Sequence, residues 1–221
     1  MLQRWFGAKA HSRLHYFTLL LFVVGMVCSK FLMSMGLLLG ALNFLLEADF
    51  KTYYRRLSEN RLVHLLLLFY FLFWISLLWS QNWTEGFDQL RRLTSLLLIP
   101  LIIAARPLPT AKKTEGLWSF FLGALLLSSL INSISYHFFA EQLQLIDIRD
   151  MSLFGSHIRF GILIGFGLSL ALFRFASNWW YGLLALWFLY YTFDSQALSG
   201  VLTVVIVLLG HTIHFLLQKR K

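Results

Sequence analysis

Residues 62–80 read Leu-Val-His-Leu-Leu-Leu-Leu-Phe-Tyr-Phe-Leu-Phe-Trp-Ile-Ser-Leu-Leu-Trp-Ser, without one Asp, Glu, Lys or Arg. At 1.5 Å per residue such a helix is about 28 Å long, close to the roughly 30 Å of a bilayer's hydrocarbon. It has no polar face with which to meet water, so the stretch reads as a membrane span. Seven further runs share this character: 14–29, 31–47, 93–105, 117–137, 158–173, 177–193 and 198–217. The expected fold is therefore all-α: a polytopic integral membrane protein of about eight transmembrane helices, forming a single domain over 1–221. Two boundaries are unusual. Only Ser29-Lys30 separates the first two runs, which together are too long for one span. The fourth run is short and contains Pro100, so it either begins near Phe87 or is broken.

Composition excludes the main alternatives. With 58% hydrophobic and 13% charged residues, the chain is far from the quarter or so of charged residues found in soluble domains. A net charge of +9 would suit a nucleic-acid partner, but the cations sit in short clusters between apolar runs, as membrane-flanking charge does. Cys28 is the only cysteine and rules out an intramolecular disulfide. Gly25-Met26-Val27 before it does not make a lipoprotein cleavage site, and no small-x-small motif follows the first run. That run is therefore read as a retained span.

Charge also sets orientation. With the N-terminus inside, only Lys30, Arg91, Arg92, Arg149 and Arg159 fall outside, leaving fourteen of the nineteen Lys and Arg on the inner side. This is the asymmetry the positive-inside rule requires, and it predicts both termini in the cytoplasm. Tyr53, Tyr54, Trp79, Trp83, Trp179 and Trp180 lie near span ends, where amphipathic rings anchor at the interface.

Ser156-His157-Ile158-Arg159 heads the sixth run, and Arg159 is an outer-side charge at a span end. Such a guanidinium either snorkels to headgroup phosphates or lines a cavity and grips a phosphate or diphosphate bidentately. Arg91 and Arg92 could join it around one anionic head, although Asp88 and Arg92 at i and i+4 also suit a local salt bridge. At 100° per residue His157 shares a face with Gly161 and Gly165, opposite Arg159. His157 is therefore expected to pack against a neighbouring helix and is only a minor candidate for the site. Gly36 and Gly40 make a second close-packing face. His211 and His214 lie one turn apart without a carboxylate or thiolate beside them, so no metal is expected. Asn82-Trp83-Thr84 fits a glycosylation sequon but lies against the membrane. Glu47 and Asp49 are expected to be solvated or paired with Lys51 or Arg55. Gly-rich phosphate loops, paired catalytic carboxylates and nucleophile elbows are missing from the sequence.

The order of several segments carries a resemblance. Asn43-Phe44-Leu45-Leu46-Glu47-Ala48-Asp49-Phe50-Lys51 is followed by a basic loop, then by Leu77-Leu78-Trp79-Ser80-Gln81-Asn82-Trp83-Thr84-Glu85-Gly86-Phe87-Asp88-Gln89-Leu90-Arg91-Arg92. Leu96-Leu97-Leu98-Ile99-Pro100-Leu101-Ile102-Ile103 comes next, and Ser152-Leu153-Phe154-Gly155-Ser156-His157-Ile158-Arg159-Phe160-Gly161 later. Across residues 31–105 and about 150–200 this resembles the first half of the bacterial O-antigen ligase family. The resemblance implies a metal-independent, cofactor-free glycosyltransferase of the bacterial inner membrane, acting in lipopolysaccharide biosynthesis. It would move a glycan from an undecaprenyl diphosphate carrier to a glycan or lipid acceptor at the periplasmic face, or polymerise such glycans or attach them to protein. By position, Arg159 and the Arg91-Arg92 pair match the family's diphosphate-binding basic residues. Two departures follow. Gln196-Ala197-Leu198-Ser199-Gly200 lacks the basic residue that family members place near this point. The large periplasmic loop and final spans, which carry the family's catalytic histidine, would follow Lys221, so the chain is expected to be incomplete as an enzyme, a truncated product or one partner of a complementary membrane subunit. The alternative class is a small membrane transporter or channel, or a non-catalytic scaffold; a transporter would show broken helices in two related halves.

Overall fold

The computed structural model describes residues 7–106 and 110–218. Arg4, Lys219, Arg220 and Lys221 of the charge count lie outside the described residues, as does the His214 side chain. All regular elements among the described residues are helical. They are α1 (Ala8–Cys28), α2 (Lys30–Glu47), α3 (Phe50–Glu59), α4 (Arg61–Ser76), α5 (Trp83–Arg92), α6 (Thr94–Ala105), α7 (Ala111–Phe139), α8 (His157–Arg174), α9 (Trp180–Asp194) and α10 (Leu198–Gln218). Short 3-10 turns occupy Leu77–Trp79 and Ile148–Met151. Each of the eight apolar runs coincides with a helix.

Five helical segments are long and apolar enough to cross a membrane: Lys9–Cys28, Lys30–Glu47, Arg61–Trp79, Ala111–Phe139 and His157–Arg174. The protein is a helical membrane protein on that ground. With 12 and 15 residues, α6 and α9 fall short of the roughly 17 that a span needs. The described apolar stretch of α10 is Leu198–Ile213. The fourth run neither begins near Phe87 nor breaks at its proline: it forms one helix from Thr94 to Ala105. An amphipathic α5 ends at Arg92 and a separate α6 follows, with Pro100 inside it and fully buried.

The helices fall into two compact units. The first comprises the described residues up to Phe22 together with Met33–Thr114. Here α1 and α2 meet through glycine and through a buried polar pair. The Nδ1 of His11 lies 2.8 Å from the Asn43 Oδ1, and the Asn43 amide donates to the His11 carbonyl at 3.3 Å. Satisfied in this way, the two polar side chains hold the hairpin in register where no water competes. Gly36 abuts the backbone of α1 at Phe22, and Gly40 abuts Ile102 of α6.

The partner that the structure gives Glu47 is neither Lys51 nor Arg55 but Arg106. The carboxylate takes a two-point grip from Arg106 at the end of α6, whose Nε donates to Oε2 at 3.0 Å and whose Nη2 donates to Oε1. The planar guanidinium matches a carboxylate in a way a lysine ammonium does not. Asp49 instead caps α3, accepting from the Thr52 amide at 3.4 Å. Ala48, at a left-handed φ of 51°, turns the chain between α2 and α3. The buried Tyr53 then stacks on Phe44, ring centroids 4.7 Å apart. Burial and the neighbouring Glu47 carboxylate hold its phenol above its usual pKa, so it stays neutral.

The second unit comprises Val23–Leu32 together with the described residues from Glu115 onward. Its centre is α8, whose Ile164, Leu168 and Ala171 are fully buried with Leu125 of α7 and Phe188 of α9. Gly161 lets α8 approach α10 until their backbones touch at Gly200, and Gly165 accommodates Thr203. The stretch 138–157 is folded back rather than a free loop. Asp147 and Asp150 cap a 3-10 turn that drives Met151, fully buried, into the core.

Candidate functional site

Arg159 occupies the first turn of α8 and is half-buried. Its Nη2 donates to the Met26 carbonyl at 3.0 Å. Met26 lies in the last turn of α1, where carbonyls have no intrahelical donor and the helix dipole favours a cation. Part of the guanidinium's role is thus to finish α1. The residue also lines a small cleft with Lys30, Gly155, Ser156 and Phe160, whose ≈ 10 Å³ holds about one water molecule. Lys30 is exposed at the start of α2. The Ser156 side chain makes no cap bond to α8, and the start of that helix lines the cleft through Ser156, Arg159 and Phe160. Two cations and a helix N-terminus therefore share one concave spot, which is where positive potential concentrates.

His157 is half-buried, and its Nδ1 is buried without a hydrogen-bond partner among the described residues. It lies one turn before Gly161, on the helix that presses against α10, in keeping with a packing position. Arg91 and Arg92 are exposed in the last turn of α5, within the first unit, whereas Arg159 and His157 belong to the second. Asp88 and Arg92 form no ion pair. Among the described residues no group of three His, Cys, Asp or Glu side chains is placed to hold a metal. His211 bonds to the Ser169 hydroxyl of α8 at 3.3 Å and packs on Phe173.

A second polar constellation escaped the sequence reading. Asp194, the last residue of α9, accepts from the His137 Nε2, which lies 3.0 Å from both carboxylate oxygens, and from the Ser133 hydroxyl at 3.2 Å. One position earlier on α7, the fully buried Asn132 donates to the Tyr191 hydroxyl and accepts from the Leu153 amide, each at 3.2 Å. A turn below, the Trp187 indole donates to the Ser129 hydroxyl at 2.8 Å. Tyr191 continues this layer to Phe160, the residue after Arg159, at 5.6 Å between ring centroids. The signal was present in the sequence. Ser129, Asn132, Ser133 and His137 recur at the spacing of one helical face inside an otherwise apolar run. Polar side chains in such a place must find partners within the bundle.

Comparison with protein-family profiles, with characterised proteins and with solved structures found no match.

Proposed function

We propose that the protein is an O-antigen-ligase-type membrane glycosyltransferase component that holds an undecaprenyl-diphosphate-linked glycan at the periplasmic face of the bacterial inner membrane. The observation that carries this reading is the cationic cleft where Lys30, Arg159 and the uncapped start of α8 converge. Paired hydrogen bonds from a guanidinium match the oxygens of a diphosphate, and a nearby ammonium and helix dipole add to the attraction. The cleft is narrow, so the diphosphate would sit at its rim beside the exposed Lys30. By the charge asymmetry of the sequence, Arg91 and Arg92 are assigned to the periplasmic side in this reading. A non-catalytic scaffold is the second reading, favoured by the bond from Arg159 to the Met26 carbonyl, which gives the arginine a structural task.

Arg159→Ala is expected to weaken binding of an undecaprenyl diphosphate probe by about tenfold, one charge-assisted pair's worth, with Arg159→Lys restoring part of it. Because Arg159 also finishes α1, thermal stability is measured alongside. Lys30→Gln, which removes a cation with no hydrogen bond of its own among the described residues, is expected to weaken the same probe about threefold at unchanged stability. Equal affinity in all three variants and the parent would leave the scaffold reading. Orientation has its own measurement. Reporter fusions after residue 221 are expected to be active only as cytoplasmic reporters, and a periplasmic signal there would reverse the proposed topology.

A further inference from the structure

We propose that the groove between α7 and α9, beside the His137–Asp194 pair, binds the neutral, hydroxyl-rich head of an amphiphile. The groove measures ≈ 440 Å³ and is lined by Ser133, Ile134, His137, Phe138, Trp187 and Tyr190. That volume lies within the range of small-molecule sites, about 300–1,000 Å³. It shares no residue with the Arg159 cleft, and the assignment does not rest on the transferase reading.

The chemistry of the lining selects the head group. Asp194 is only 13% exposed at its side chain, and its oxygens are occupied by His137 and Ser133. Its work is to hold the imidazole. With Nε2 directed at the carboxylate, a neutral ring carries its proton there, and Nδ1 is left as a hydrogen-bond acceptor. The His137 side chain is 44% exposed and lines the groove. Tyr190 is exposed as well, and its hydroxyl both donates and accepts. Trp187 is fixed by its bond to Ser129 and lies 5.5 Å from the Tyr190 ring, giving a rigid aromatic wall. Neither Lys nor Arg lines the groove, and the oxygens of the carboxylate behind it are engaged by His137 and Ser133. An anionic head would meet Asp194 without a counter-ion, and a cationic one would have to take the carboxylate from His137. Neutral hydroxyls can use Nδ1 and the Tyr190 oxygen, and the carbon face of a sugar or glycerol can lie on the aromatic wall. Ile134 and Phe138 are 49% and 77% exposed on the other border, an apolar rim suited to a hydrocarbon tail.

The test uses the full chain in phosphatidylcholine nanodiscs and four probes with the same tail, each below its micellar concentration. These are octyl β-glucoside, 1-O-octylglycerol, octyl phosphate and octyltrimethylammonium, with protein-free nanodiscs subtracted in the calorimeter. The glucoside is expected to bind saturably, and the two charged probes at least about tenfold more weakly. A glucoside preference over octylglycerol assigns a saccharide head, and equal binding assigns any vicinal diol; both support the site. Trp187→Leu and His137→Gln are expected to weaken the glucoside about tenfold, whereas Trp187→Phe, which keeps a ring, stays within about threefold. Asp194→Asn, similar in shape, is expected to weaken it too, because the ring loses its anchor. Binding indifferent to head group, a preference for either charged probe, or folded His137→Gln and Trp187→Leu variants that bind like the parent would each overturn the assignment.

Discussion

Gly36→Ala is expected to lower the melting temperature of the solubilised protein by about 8 °C, on the order of 3 kcal/mol. A methyl group at this position would stand 2.7 Å from the Phe22 backbone nitrogen and 3.0 Å from both the Phe22 Cα and the Thr18 carbonyl oxygen. None of these atoms can rotate away, because all belong to the main chain of α1. The two helices would have to separate, and with them the His11–Asn43 pair further along the hairpin. In a bilayer the apolar surfaces of helices gain nothing by leaving lipid, so close backbone packing carries much of the association energy. Gly123→Ala is the control. That glycine is also helical but has nothing within 4 Å of the added carbon, so the change is expected to be neutral or to stabilise by up to about 1 kcal/mol. A parent-like melting temperature for Gly36→Ala would mean that α1 and α2 do not pack as described.

Asn132→Ala carries the second large effect, a destabilisation of about 3 kcal/mol. Its amide joins three pieces of the second unit: α7, the returning loop at Leu153, and α9 at Tyr191. Truncation leaves a cavity and takes the Asn132 donor from the buried Tyr191 hydroxyl, while the Leu153 amide keeps only its bond to the Met151 carbonyl at 3.1 Å. Such groups cost more unpaired in an apolar interior than the bond itself contributes in a wet one. Tyr191→Phe removes one end of one bond and is expected to cost only about 1 kcal/mol. The double variant is expected to be less destabilised than the two single changes together, since both act on the same contact. Full additivity in urea or thermal unfolding would mean that Asn132 and Tyr191 act independently.

Gly36, Gly40, Gly161 and Gly165 were legible as packing positions, because a four-residue glycine spacing leaves one helix face without side chains. Their partners were not legible, since Phe22, Ile102, Gly200 and Thr203 carry no mark of proximity in the sequence. The apolar runs were legible from hydropathy. The junction of α5 and α6 at Leu93 was not legible, since Pro100 lies inside α6 and does not break it. The fate of Arg159 could not be read, because its acceptor is a main-chain carbonyl and every residue has one. The His137–Asp194 site depended on noticing a polar stripe of period 3.6 on α7, and then on a distant acidic residue that only tertiary structure brings to it. Glu47 misled in the same way. Lys51 and Arg55 are near in sequence, yet the guanidinium that fits it arrives from the far end of α6.

The bond from Arg159 to Met26 also sets a threshold for any ligand of the cleft. An anion that recruits the guanidinium must displace an amide oxygen already seated there, a built-in competitor contributing about 1–3 kcal/mol. A singly charged phosphodiester, abundant in every bilayer, gains little over that competitor, whereas a multiply charged head exceeds it. Under the proposed function the carbonyl would act as a filter: it would weaken every anion by the same amount and leave only the most highly charged with a useful affinity.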